Sequence, residues 1–251
     1  MPSPEEHIRT HLLTNKCLPV SPDWLSQFIS QTAPQQQRGL PLAALTQTAL
    51  FRILNSNFTN SLSTITHPTA LLPRGINNPA TKERQIQGPV PVQVLDIEDI
   101  GSSLWSQVEA IERFDRGETS RGREIIRNVT IGDGDESNVN GRAGDATTLN
   151  HEALNSTSAP LGSSGFGPHR LILQDAAGIQ TVAIELQSVD GIAIGRLPIG
   201  AKLLVQNAIV SRGMVLLTPD TVSVLGGKIE ALDVEWRKTR KANLLAQLEE
   251  Q

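Results

Sequence analysis

A chain of 251 residues with 38% hydrophobic content and a net charge of −4 has room for one large domain or two small ones, and just enough apolar material for a core. Acids outnumber bases by 26 to 22, aromatics make up 3% and tyrosine is absent, which speaks against a protein that lives mainly by gripping phosphates or stacking bases. No apolar run approaches the roughly 18 residues a membrane span needs, the polar start MPSPEEHIRTHLL is no secretory signal, and the lone Cys17 excludes an internal disulfide and suits a reducing compartment.

The first sixty residues read as helical. Ser3-Pro4-Glu5-Glu6 places serine at N-cap, proline at N1 and glutamate at N3, followed by Ile8, Leu12 and Leu13 at helical spacing. Ser21-Pro22-Asp23 repeats the device, with Val20 positioned to staple onto Leu25. A third segment, 42–58, gathers Leu42, Leu45, Ala49, Leu50, Ile53 and Leu54 on one face. Three short amphipathic helices form a bundle too small to stand alone, so it is expected to dock on the remainder of the chain.

Residues 66–91 contain five prolines and read as an extended crossing segment. VQVLDIEDI (92–100) reads as a strand, and SSLWSQVEAIERF (102–114) as a helix with Leu104, Trp105, Val108 and Ile111 on one side. From about 117 to 168 the composition falls to Gly, Ser, Thr, Asn and Asp, a length of loop that is either functional or disordered. RLILQDAAGIQTVAIEL is a hairpin around DAAG, and AKLLVQNAIVSRGMVLLTPDTVSVLGG holds two or three further strands, the last pair joined near Arg212-Gly213. Residues 228–251 form an amphipathic helix. One strand before the insertion and four after it predict an α+β chain. Residues 1–65 are a three-helix bundle, and 66–227 a five-stranded, partly open OB-fold barrel carrying the insertion at 117–168. A C-terminal helix at 228–251 completes it.

Chemistry is sparse. VSVLGGKI has the lysine of a phosphate loop but neither the first glycine nor the following hydroxyl, and GSSGFG (162–167) lacks the dinucleotide spacing, so these glycines are expected to turn strands or loosen a linker. His7 and His11 stand at i, i+4 without a third metal ligand, DGDES (133–137) lacks the closing glutamate of a calcium loop, and no Ser/His/Asp set stands out. No cofactor, metal or catalytic residue is expected. Between residues 171 and 224 there is no aromatic ring and no excess of positive charge. Single-strand binding by such barrels rests on basic grooves and stacked rings, so this barrel is expected to dock on protein, with a stand-alone single-stranded DNA-binding OB-fold protein as the alternative. Arg121, Arg123 and Arg127 are the candidates for contact with nucleic acid.

LPIGAKLLVQNAIVSRGMVLLTPDTVSVLGGKIEAL, LILQDAAGIQTVAIEL and VLDIEDIGSSLWSQ together resemble the RecQ-mediated genome instability protein family, from about residue 5 to 240 apart from the loop. The resemblance implies a nuclear, non-catalytic subunit that binds a type IA topoisomerase of the topoisomerase III class and works with a RecQ-family helicase to dissolve double Holliday junctions and decatenate DNA. DNA would be met mainly through that complex, with no membrane and no small-molecule substrate. It also implies that the insertion reaches the topoisomerase gate, with Ile131, Leu149, Leu154, Leu161 and Phe166 as candidate contacts, and that Lys202 in the Pro-x-Gly-x-Lys corner is a docking residue.

Overall fold

The computed structural model describes residues 3–36, 41–117 and 167–250. It begins with α1 (Pro4–Lys16), α2 (Pro22–Gln36), α3 (Leu42–Leu54) and the single turn α4 (Phe58–Ser61). Ser3 Oγ accepts from Glu6 N–H, as the capping box requires, and Asn57 caps α4 by accepting from Thr59 N–H. Ile8, Leu12, Leu18, Leu25, Leu45, Ile53 and Phe58 close a helical core of their own. Each such side chain contributes about 1.5–3 kcal/mol of burial, but a cluster this small needs a neighbour, and Ala176 from the barrel belongs to it.

The sheet comprises β1 (Glu83–Gln85), β2 (Val90–Asp99), β3 (His169–Gln174), β4 (Gln180–Glu185), β5 (Lys202–Val205), β6 (Ile209–Ser211), β7 (Met214–Leu217) and β8 (Val222–Gly226), in the order β1-β6-β7-β4-β3-β2-β5-β8. Between β2 and β3 lies α5 (Leu104–Asp115), and α6 (Glu230–Glu249) ends the chain's regular structure. Where the sequence predicts five strands, eight segments form. The reason is local: β5–β6 and β7–β8 are the two arms of one long hairpin, broken at 206–208 and 218–221 but still bridged there by Gln206 N–H to Thr221 O at 2.9 Å. One half of this hairpin pairs with β2 through β5, and the other half pairs in parallel with β4 through β7. The sheet thereby curls until both of its flanks are carried by the same hairpin, which is the partly open barrel expected. The eighth segment, β1, comes from the crossing segment 66–91, which also sends Leu72, Ile76 and Ile86 into the barrel core.

Strand phase decides what faces where. Val92, Val94, Leu171, Leu173, Ala183, Leu203, Val205, Val215 and Leu217 point inward. A register shift between Val94 and Asp96 lets Ile97 regain the interior and turns Asp96 and Glu98 outward. On α5 one expectation fails: Trp105 is 67% exposed, and Gln107 takes the buried position, where its Nε2 donates to Asp99 O and Ser102 O.

Two glycines, one in Arg212-Gly213 and one in Gly226-Gly227, serve close backbone approach as well as turning. Arg212 and Gly213, at φ 51° and 85°, make the tight β6–β7 turn, and a Cβ on Gly213 would lie 2.7 Å from Asn77 O. Gly227 has φ 78°, and a Cβ there would lie 2.2 Å from Leu54 O at the end of α3. Glycine at 227 is what allows the helical core to sit against the barrel.

Candidate protein-docking face

The outward positions of the barrel divide into three territories. The first is covered by the N-terminal helices. Gln174, Gln93 and Lys202 stand side by side on β3, β2 and β5, beneath Phe58. Gln93 uses both ends of its amide: Oε1 accepts from Phe58 N–H (3.0 Å) and Lys202 Nζ (3.3 Å), while Nε2 donates to Asn57 Oδ1 (2.9 Å) and Gln174 Oε1 (2.8 Å). Lys202 Nζ also donates to Gly200 O at 2.6 Å and lies 4.8 Å above the Phe58 ring.

This corrects the reading of Lys202 as a docking residue. The side chain does point out of the barrel, but the helices cover it completely, so it presents nothing to a partner. Burial lowers its pKa from 10.5 to about 7. The unfolded chain therefore holds this proton up to about pH 10.5 and the folded chain releases it near 7. Below pH 7 both states are protonated and the cost of the buried cation is fully present; stability should rise with pH across the window between 7 and 10.5. Lys202→Met is expected to remove that rise, which approaches about 1.4 kcal/mol per pH unit. Denaturant midpoints of both proteins at pH 6, 8 and 9 measure it.

The second territory is covered by α6. Trp236 Nε1 donates to Asp96 Oδ1 at 2.7 Å, and Asp233 Oδ1 accepts from Ile199 N–H at 3.0 Å. Arg240 lies 5.3 Å over the Trp236 ring; burial lowers its pKa, and Asp99 and then Asp96 oppose that shift.

The third territory is left open by the described residues. On β4, Val182 faces Ile172 of β3 and Met214 of β7; one step along, Ile184 faces Leu216, which faces Ile209 of β6. Leu186 extends the β4 line by one more outward position. Ile209 is 43% exposed and Leu186 60%, and the centre is half-buried by its own neighbours. The rim is polar, with the Arg170–Glu98 ion pair (2.6 Å) on one side and Gln85 on the other. An apolar centre inside a polar rim is the composition of a protein interface. No ring stands among these seven positions and no cation in their centre, so the face offers a single nucleic-acid strand neither stacking nor charge. The strings LIL, VAI and MVLL, apolar in both strand phases, carry the signal in sequence, because a strand solvated on one face should alternate.

The insertion's two ends lie beside α5 and the end of β2. It leaves after Gly117 and returns at Gly167, whose backbone passes close to Gly101, with Ile100 N–H donating to Pro168 O at 3.0 Å. The next residue, His169, is buried. Its Nδ1 meets Glu185 Oε2, which also accepts from His169 N–H, and Glu185 Oε1 accepts from Val189 N–H. Arg113 pairs with Glu109 and Arg116 with Glu112, the local partnering of a solvated helix end. Ile131, Leu149, Leu154, Leu161 and Phe166, with Arg121, Arg123 and Arg127, lie outside the described residues.

Among the described residues no helix is long and apolar enough to cross a membrane, and no group of three or more His, Cys, Asp and Glu is placed to hold a metal. Family models match the chain in two consecutive blocks: "RMI1, N-terminal helical domain" over residues 12–61 and "RMI1, N-terminal OB-fold domain" over residues 72–240. The RecQ-mediated genome instability protein 1 of Schizosaccharomyces pombe is 30% identical over 152 residues, 61% of each chain. The protein of the same name from Xenopus laevis is 37% identical over 82 residues, 32% of this chain and 14% of its own length. The chain thus covers less than two thirds of the length of the curated relatives it matches. With α1–α4 in the first block and the curled sheet in the second, it belongs to the RMI1 family and carries that family's helical and OB-fold domains in order.

Proposed function

We propose that this chain is a non-catalytic scaffold subunit that docks on a type IA topoisomerase of the topoisomerase III class. With a RecQ-family helicase, it would promote dissolution of double Holliday junctions and decatenation in the nucleus. The observation that carries the reading is the open apolar face on β3, β4, β7 and β6, free of Phe, Tyr and Trp and left uncovered by α1–α4 and α6. Membership of the RMI1 family supports the choice of partner.

In this reading the barrel supplies affinity and the insertion modulates the topoisomerase gate. Ordering a segment on contact costs free energy, so the insertion acts only while the docked barrel holds it at high effective concentration. It shifts the gate only through contacts that differ between open and closed states. Replacing 118–166 with a glycine–serine linker of about ten residues, long enough to span the roughly 18 Å of α5, tests this division. Topoisomerase III co-purification should persist and decatenation should fall. Loss of co-purification would make the insertion the anchor instead.

A further inference from the structure

β1 ends the sheet on one side, and only half of its backbone groups are used. Ile86 N–H donates to Ala208 O at 2.9 Å and Arg212 N–H to Lys82 O at 3.4 Å, so positions 82, 84 and 86 turn their backbone groups toward β6. By the alternation of an antiparallel ladder, the N–H and C=O of Glu83 and Gln85 face away from the sheet. All three β1 residues are exposed. Alongside runs a groove of about 800 Å³ between β1, the crossing segment at 68–74 and the β3–β4 turn. Its walls include Leu72, Pro73, Ile86 and Ile179. They are held in place by Asp175, whose two carboxylate oxygens accept from Leu72 N–H (2.9 Å) and Ile179 N–H (2.8 Å).

The charge of this groove is one-sided. Arg74 and Arg84 are its charged lining residues, and no carboxylate and no aromatic ring lines it. Arg84 Nη1 donates to Arg74 O at 2.9 Å, and among the described residues neither guanidinium meets a carboxylate. Lys82 and Arg212 continue the positive strip beyond β1, with Glu83 the acid among them. This stands against a chain whose net charge is −4. Charged residues on an edge strand discourage pairing between copies. Here they also select: a second copy of the strip would be repelled, while an acidic strand would be attracted.

We propose that the β1 edge and its groove bind an extended, acidic segment of a partner protein by strand addition. The partner backbone pairs with Glu83 and Gln85, its alternate aliphatic side chains enter the groove, and its carboxylates meet Arg74 and Arg84. A single nucleic-acid strand fits the charge but not the walls, which offer no ring for a base to stack on. The surface adjoins the face proposed for the topoisomerase at Gln85, which pairs with Ile209, but it uses other groups: the outward backbone of β1 and the groove beside it.

Fluorescence anisotropy of the full chain tests it with three labelled probes: a peptide of about ten residues alternating glutamate and valine, its lysine–valine counterpart, and a thymidine oligomer of about twelve nucleotides. The acidic peptide should bind at least about tenfold more tightly than either other probe, and R74E/R84E should weaken it by a similar factor. Gln85→Pro removes an outward N–H and leaves the β6 ladder intact; it should weaken the same peptide while the melting curve stays that of the parent. Equal or tighter binding of the oligomer overturns the proposal in favour of nucleic acid. No binding of the acidic peptide, or binding indifferent to R74E/R84E or to Gln85→Pro, overturns strand addition at this edge.

Discussion

Ile184→Glu combined with Ile209→Glu is expected to leave the fold intact and to abolish co-purification with topoisomerase III. Both side chains lie on the outer face, on β4 and β6, separated by Leu216 of β7. At about two strand spacings, the two carboxylates are roughly 10 Å apart and repel little in solvent. Ile184 is half-buried and Ile209 is 43% exposed, so each change should cost the folded chain no more than about 1 kcal/mol. At a desolvated interface the same groups lack partners, and each should cost about 2–4 kcal/mol. Together they raise Kd by about a thousandfold or more. Calorimetric titration against topoisomerase III reads the effect, with the Ile184→Val/Ile209→Val chain as the apolar control. Undiminished binding by the glutamate variant would move docking to another surface.

Gln93→Leu is expected to cost about 3–5 kcal/mol of folding stability. One amide joins four partners from three parts of the chain: Phe58 N–H and Asn57 from the helices, Gln174 from β3 and Lys202 from β5. Leucine fills the space and satisfies none of them. It also strips the buried lysine of one of its two acceptors, leaving Gly200 O. The variant should lose helical signal at lower denaturant than the barrel, because the network is the polar half of the junction between them. Lys202→Met placed on top of Gln93→Leu should recover part of the loss, since it removes the cation whose desolvation the amide had offset. Circular dichroism and a barrel-specific probe followed through the same titration separate the two. A loss below about 1 kcal/mol would mean that water replaces the amide.

How the site read in the sequence depends on what each residue's own neighbours determine. The capping box at Ser3–Glu6 and the DAAG hairpin are decided by a few adjacent residues, and both were legible. The α5 face was half legible: Val108 is buried as its spacing requires, but Trp105 and Gln107 exchanged places. That exchange depends on the free carbonyls of Asp99 and Ser102 at the end of β2, which no helical periodicity contains. Lys202 was legible as a member of a family motif and misread as an exposed one, because its burial comes from Phe58, which lies 144 positions earlier in the chain.

The sequence alone settled the α+β class, the absence of aromatic rings between residues 171 and 224, and the acid–base balance of the barrel, since each is a property of local pattern or composition. Only the tertiary structure decided which outward residues stay outward. Strand alternation sends Lys202 and Ile184 to the outer side of the sheet and the register shift after Val94 sends Asp96 there, but the helices cover the first, nothing described covers the second, and α6 engages the third. Alternation is set within a strand, whereas covering is set by elements that meet it from far along the chain.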